Sequence, residues 1–222
     1  MYHLYNMDCL EGIKKIESNS IDLIVSDPPY FIGMTHNGQK GTFNDLAICK
    51  PFYQELFKEY NRVLKDSGRL YFFTDFRAYA FYMPILNDII PVKNCIIWNK
   101  RSGCGSNYNY QYEMIIYATK QYIIQGGSNI WDIKSFMVGA KKTNGEKIHP
   151  TQKPIELIEK IILDGSKEND FVLDTFSGSG TTAIACLKNN RHFIGFEHDE
   201  NYYNLSRQRI NKYIKSLKKE VA

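Results

Sequence analysis

Residues 171–182 read Phe171-Val172-Leu173-Asp174-Thr175-Phe176-Ser177-Gly178-Ser179-Gly180-Thr181-Thr182. A short apolar run ends in an acid, a glycine-spaced turn follows, and helical spacing begins at once. Two glycines at that place let the backbone turn tightly beside a nucleotide-type cofactor. The stretch from Gly178 to Ala183 also fits the dinucleotide pattern with alanine last, and Glu197 lies about where an acid would hold ribose hydroxyls, so the turn alone leaves NAD open. Its position does not suit NAD. Such domains usually start with this turn, whereas here one clear strand, Phe193 to Phe196, and one helix remain before Ala222.

The missing part of the cofactor half must therefore come from the other end of the chain. Tyr2 to Asn6 reads as a strand that fits beside Phe193 to Phe196, which puts Asp8 in the same crevice as Glu197. The fold is then circularly permuted, with close termini. A plainer reading of Asp8 is a helix N-cap, and of Glu197 a solvated acid at a strand end.

Between these ends the pattern alternates. Asp8 to Ser18 has helical spacing through Leu10, Ile13 and Ile16, and Ile21 to Ser26 is a buried strand. Lys50 to Lys65 is a helix, broken at Asp66-Ser67-Gly68 before the strand Arg69 to Phe73. Val92 to Trp98 and Tyr112 to Thr119 flank a loop-like stretch and suit antiparallel pairing. Pro154 opens a helix carrying Ile155, Ile158 and Ile162 on one face, and Asn201 to Lys219 is an amphipathic surface helix. Alternating strands and helices predict a mostly parallel sheet covered on both faces, with ligands outside the carboxyl ends of its strands.

At one such end, Ile21 to Ser26 runs into Asp27-Pro28-Pro29-Tyr30. Two prolines remove backbone donors and stiffen the chain, so a carboxylate, carbonyls and a ring are held together. The cluster suits an amino group on a planar base: Asp27 and the Pro28 carbonyl accept its two N–H bonds, and Tyr30 stacks on the ring. An aromatic amine is a poor nucleophile because its lone pair is delocalised, and acceptors that favour a pyramidal nitrogen help it attack a sulfonium methyl in line. No Ser-His-Asp or Cys-His arrangement competes, and Cys9 and Cys104 lack a Pro-Cys context.

Length, at 222 residues with 43% apolar content, allows one sizeable core. The apolar runs fall short of the roughly 18 residues of a membrane span, and the start has no leader pattern. Five scattered cysteines without a CxxC pair predict no metal site and fit a reducing cytoplasm. A net charge of +4 is compatible with a polyanionic partner without requiring one.

Asp27 to Tyr30, then His149-Pro150-Thr151-Gln152-Lys153-Pro154, then Asp174 to Thr182, together resemble the beta-class amino-group DNA methyltransferases, in which the catalytic motif precedes the S-adenosylmethionine motif. The resemblance runs from Asn6 through Glu197. It implies an α/β, doubly wound, mostly parallel seven-stranded Rossmann-like sheet, circularly permuted, in one domain spanning 1–222 with a small target-recognition region at about 100–147. By motif, Asp8 and Cys9 lie at the cofactor adenine and Glu197 at its ribose; Asp174, Phe176, Gly178, Ser179, Gly180 and Thr181 shape its pocket, and Thr151 and Lys153 approach its methionine end. Asp27, Pro28, Pro29 and Tyr30 are the catalytic set. Asp before Pro-Pro-Tyr resembles the adenine-N6 members more than the cytosine-N4 ones.

The amine of a paired base is hidden, so the resemblance further implies base flipping. Lys100, Arg101, Tyr108, Tyr110, Lys141 and Lys142 are the candidate contacts to double-stranded DNA, mixing phosphate-seeking cations with rings that stack or wedge. The Arg207 to Lys219 basic series reads more naturally as a solvated helix face. A homodimer, a cognate restriction enzyme and a place in the bacterial cytoplasm or a phage-infected cell are further expectations, with no membrane partner. Two readings compete: cytosine-N4 transfer, and a non-catalytic DNA-binding or specificity subunit.

Overall fold

The structure is a computed structural model that describes residues 1–29, 35–36, 39–40, 46–103, 105, 107–124, 126–135 and 152–220, with backbone only for 35–36, 39–40, 46–47 and 218–220. In chain order the elements are β1 (Tyr2–Asn6), α1 (Cys9–Ile13), β2 (Ile21–Ser26), β3 (Thr35–His36), β4 (Gln39–Lys40), α2 (Leu46–Val63), β5 (Leu64–Thr74), α3 (Phe76–Asn87), β6 (Val92–Asn99), β7 (Tyr112–Thr119), β8 (Ile130–Asp132), α4 (Ile155–Gly165), β9 (Phe171–Asp174), α5 (Thr181–Lys188), β10 (His192–Glu197) and α6 (Glu200–Glu220).

Eight strands form the main sheet in the order β1-β10-β9-β2-β5-β7-β6-β8, and β3 and β4 pair separately. β7 alone runs against the rest, since only its pairings with β5 and β6 are antiparallel. The expected pairing of Tyr2–Asn6 with the last strand is present in parallel register, Tyr2 opposite Phe193 and Asn6 opposite Glu197. The sheet has one strand more than the seven expected. β8 is the addition, three residues beside β6, anchored where the Trp98 indole N–H donates to the Ile133 carbonyl at 2.7 Å.

The two faces of the sheet bury separate apolar layers. One holds Leu56, Phe57 and Tyr60 of α2 with Tyr82 and Leu86 of α3, against Ile24 and Phe72. The other holds Leu157, Ile161 and Ile162 of α4 with Ala183, Ile184 and Ile210, against Val25, Tyr71 and Phe193. Helices α1 to α3 thus cover one face and α4 to α6 the other. β2 leads on to the first face and its neighbour β9 to the second, so a crevice opens between their carboxyl ends, the switch point of a doubly wound sheet.

α3 and β8 have no counterpart in the sequence reading, α2 begins four residues early at Leu46, and two further elements differ in how they end or begin. α1 stops at Ile13 rather than Ser18, because the chain turns at Lys14 and the Lys15 amide closes onto the Gly12 carbonyl at 3.0 Å. β5 begins at Leu64, directly after α2, and takes up Asp66-Ser67-Gly68 as an irregularity in its pairing with β2 instead of a separate turn.

Candidate active site

Four acids follow four neighbouring strands. Register places Val25 opposite Asp174, Asp174 opposite Gly195, and Asn6 opposite Glu197. Asp27, Asp174, Glu197 and Asp8 therefore emerge side by side along the carboxyl edge, from β2, β9, β10 and β1. Parallel strands in register bring residues from opposite ends of the sequence to one rim.

The turn after β9 is held from three sides. Gly178 and Gly180 adopt φ of +48° and +71°, the left-handed region that disfavours side chains. A Cβ at Gly180 would also lie 3.0 Å from Ile210 Cδ1 of α6. The Gly178 amide donates to Glu197 Oε2 at 2.8 Å, and the Asp199 amide donates to Oε1 at 2.9 Å. Arg209 of α6 donates to the Ser179 carbonyl at 2.9 Å and to Thr181 Oγ1 at 3.0 Å, so this member of the basic series braces the turn. Glu197 is pushed above the usual carboxylate range by burial, against those two amide bonds. Asp8 caps α1, its Oδ1 accepting from the Leu10 and Glu11 amides at 2.8 and 3.2 Å. Cys9 belongs to the core, where burial and the neighbouring Asp8 raise its thiol to about 12.

A cleft at the switch point is lined by Asp27, Phe73, Gln152, Lys153, Asp174, Phe176, Ser177, Gly178, Ser179 and Thr181, joining the end of β2 to the glycine turn. Asp174 is buried and accepts from the Phe176 amide at 3.0 Å. Burial, opposed by bonds from Thr182 and Phe176, pushes its carboxyl up to about 7. Lys153 does not stand alone in the cleft. Its Nζ lies 2.9 Å from Asp27 Oδ2 and 3.1 Å from Glu113 Oε2, and 5.1 Å from the centre of the Phe73 ring. Burial pulls that ammonium down, but the two carboxylates outweigh it and leave it above the ordinary lysine value.

Beneath the cleft three hydroxyls meet in the core. Tyr60 of α2 bonds to Ser26 at 2.9 Å and to Thr175, and Ser26 and Thr175 are 3.4 Å apart. Ser26 precedes Asp27 and Thr175 follows Asp174, so Tyr60 ties together the roots of both motifs.

Of the candidate DNA contacts, Lys100, Arg101, Tyr108 and Tyr110 lie at the same rim, because β6 ends and β7 begins there. Lys100 is mostly buried and paired with Glu113 Oε1 at 3.3 Å, and Arg101 donates to the Asp132 carbonyl at 3.0 Å. Tyr108 is 88% exposed, and Tyr110 stacks on Phe76 with ring centres 6.1 Å apart and Arg77 near both rings. Pro28 is buried and Pro29 exposed. Tyr30, Thr151, Lys141 and Lys142 lie outside the described residues. Sequence reasoning missed Glu113, Tyr60, Phe76 and Arg77. The one signal for the last two was Asp75, whose side chain caps α3 through the Arg77 and Ala78 amides.

The residues present fit S-adenosylmethionine in their chemistry: Ser177 Oγ, on the cleft wall, is buried without a hydrogen-bond partner among the described residues, and the left-handed glycines keep side chains off the approach. Among the described residues, no cluster of His, Cys, Asp or Glu is arranged to hold a metal ion, and no helix is long and apolar enough to cross a membrane.

Comparison with known proteins gives the same picture. The sequence profile of the N6/N4 DNA methylase family matches residues 21–126 and 125–208. The type II methyltransferase M.HinfI of Haemophilus influenzae is 30% identical over 92% of this chain and 67% of its own length. M2.MboI of Moraxella bovis, also a type II methyltransferase, is 29% identical over 99% of this chain and 91% of its own. The crystal structure of M1.HpyAVI, solved as its complex with SAM, superposes with a TM-score of 0.67 at 27% identity, covering 94% of this chain and all of that one. PvuII DNA methyltransferase, which is cytosine-N4-specific, shares the fold at a TM-score of 0.76 and 17% identity, covering 96% and 92%. With Asp27 and the glycine turn at adjacent strand ends, and a family profile matching most of its length, the chain belongs to the N6/N4 amino-group DNA methyltransferases.

Proposed function

We propose that this protein transfers the methyl group of S-adenosylmethionine to N6 of an adenine flipped out of duplex DNA. The observation that carries the reading is the single cleft in which Asp27 and the 174–182 turn meet. When bound, S-adenosylmethionine supplies an electrophilic methyl on a sulfonium, which leaves as a thioether. The chain's own residues do the rest. The turn, with Asp174, Phe176, Ser177 and Ser179, holds the cofactor; Asp8 and Glu197 extend the site along the rim toward β1.

Asp27 and the Pro28 carbonyl accept the amine's two N–H bonds and hold its lone pair in line with the methyl. The N–C bond forms as the S–C bond breaks, and one proton then passes from the nitrogen through the Asp27 carboxylate to water. Tyr30 stacks on the extruded base, offsetting the few kcal/mol that unstacking costs. Exposed Tyr108, Tyr110 and Phe76 with Arg77 suit DNA contact beside the cleft, and Lys141 and Lys142 add phosphate-seeking charge. The domain proposed spans 1–222, with its recognition region at about 100–147. The type II names of the relatives suit a modification role beside a restriction enzyme of the same specificity.

Labelled S-adenosylmethionine, unmethylated high-molecular-weight duplex DNA and nucleoside analysis test the reading. Label in N6-methyladenine is the expected result. Label in N4-methylcytosine replaces the base and keeps the mechanism, and no label refutes the catalytic reading in favour of a binding subunit.

A further inference from the structure

Asp27 and Glu113 rise from β2 and β7, which are separated in the sheet by β5. The Lys153 ammonium lies over the end of β5, 5.1 Å from the centre of the Phe73 ring, and touches both carboxylates at 2.9 and 3.1 Å. Its side chain is 7% exposed, so water screens the contacts little. Glu113 is held in turn through its other oxygen by Lys100, at 3.3 Å. The result is a row of alternating charge, Asp27, Lys153, Glu113, Lys100, running across the rim from β2 to the residue after β6.

Resting on the methyltransfer reading, we infer that Lys153 is a positioning residue for the Asp27 carboxylate, not a ligand for the cofactor's methionine end, and that Glu113 acts through Lys153. A carboxylate that must accept an amine proton along one line needs its own orientation fixed, and misplacement by about 1 Å costs on the order of 100-fold in rate. Backbone stiffness from Pro28 and Pro29 sets where Cα of Asp27 lies; it does not set the side-chain torsions. The ammonium does. Glu113 keeps the ammonium at the rim, drawn between two anions from different strands. Without Lys153, two carboxylates would face each other across β5, and Asp27 would turn away.

The test separates cofactor affinity from rate in the full chain. Glu113→Gln and Lys153→Met are compared with wild type by equilibrium binding of S-adenosylmethionine and by single-turnover methyl transfer to duplex DNA at saturating cofactor, per folded protein. Both variants should lose about tenfold or more in rate while cofactor Kd stays within about threefold. The double variant should be faster than Lys153→Met alone, because removing the Glu113 charge relieves the repulsion on Asp27; a packing role alone would make it no faster. A Kd weakened about tenfold with the saturated rate intact would make Lys153 a cofactor ligand and overturn the inference. So would rates within about twofold of wild type in both variants. Wild-type protein that methylates no DNA sinks the methyltransfer reading itself, and the inference with it.

Discussion

The Asp174 carboxyl is buried among groups that bond to it, and burial, against the Thr182 and Phe176 bonds, raises its pKa from 3.8 to about 7. A carboxyl whose folded pKa is raised contributes stability fully below its unfolded pKa, and loses that contribution as the pH rises through the folded one. The window here runs from about 4 to about 7. Asp174→Asn, neutral throughout, should therefore gain on wild type by up to a few kcal/mol as the pH goes from 5 to 8, measured by urea unfolding. The proposed cofactor brings a sulfonium and an ammonium into this cleft, favouring the ionised form, so its affinity should fall between pH 8 and pH 6 in wild type and not in the variant. Asp27→Ala should abolish transfer and leave cofactor binding nearly intact, because it removes the amine's acceptor and not the turn; full activity would reject the catalytic assignment. Gly180→Ala puts a Cβ where φ is +71° and Ile210 is 3.0 Å away. A loss of about 1–3 kcal/mol in stability and weakened cofactor binding should follow, read by thermal unfolding with and without S-adenosylmethionine. At this scale the sequence exposed the residues whose chemistry is local. Asp27 and the glycines declare themselves by their neighbours in the chain. Glu113 does not, since its importance comes from β7 running antiparallel beside β5.

The hydroxyl cluster under the cleft belongs to the scale of elements, because α2 contributes Tyr60 to the junction of β2 and β9. Tyr60→Phe would leave Ser26 and Thr175 buried at 3.4 Å with no other described bonds from their hydroxyls. A cost of about 1–3 kcal/mol is expected in denaturant unfolding. Thr175→Val should act the same way and Thr175→Ser should restore most of the loss. Most elements could be read because periodicity and breakers agreed, as in α4, where Pro154 precedes a clean apolar stripe. The exceptions have physical reasons. α3 spells Phe-Arg-Ala-Tyr-Ala-Phe-Tyr-Met-Pro-Ile-Leu-Asn, aromatic on several sides with Pro84 inside, so no single stripe marks it. β8 is three residues long, too short for alternation to register, and exists because it has β6 to lie against.

At the scale of the whole molecule, the permuted order was legible from one fact: the glycine turn comes too late in the chain to begin its own cofactor half. Its consequence is the parallel pairing of β1 with β10. Removing residues 1–7 should expose the edge of β10, weaken cofactor binding because Asp8 is no longer held at the rim by β1, and promote aggregation, visible by light scattering. The same pairing also bears on biosynthesis. β1 leaves the ribosome about 190 residues before β10, the strand on which it docks. Until β10 emerges, Tyr2–Asn6 waits without its partner, and Asp8 has no rim to join. Cofactor thus cannot reward a chain that stops short of β10: the two ends of the rim meet only once His192–Glu197 has emerged, so ligand-driven stabilisation favours molecules that reach β10 over those truncated before it.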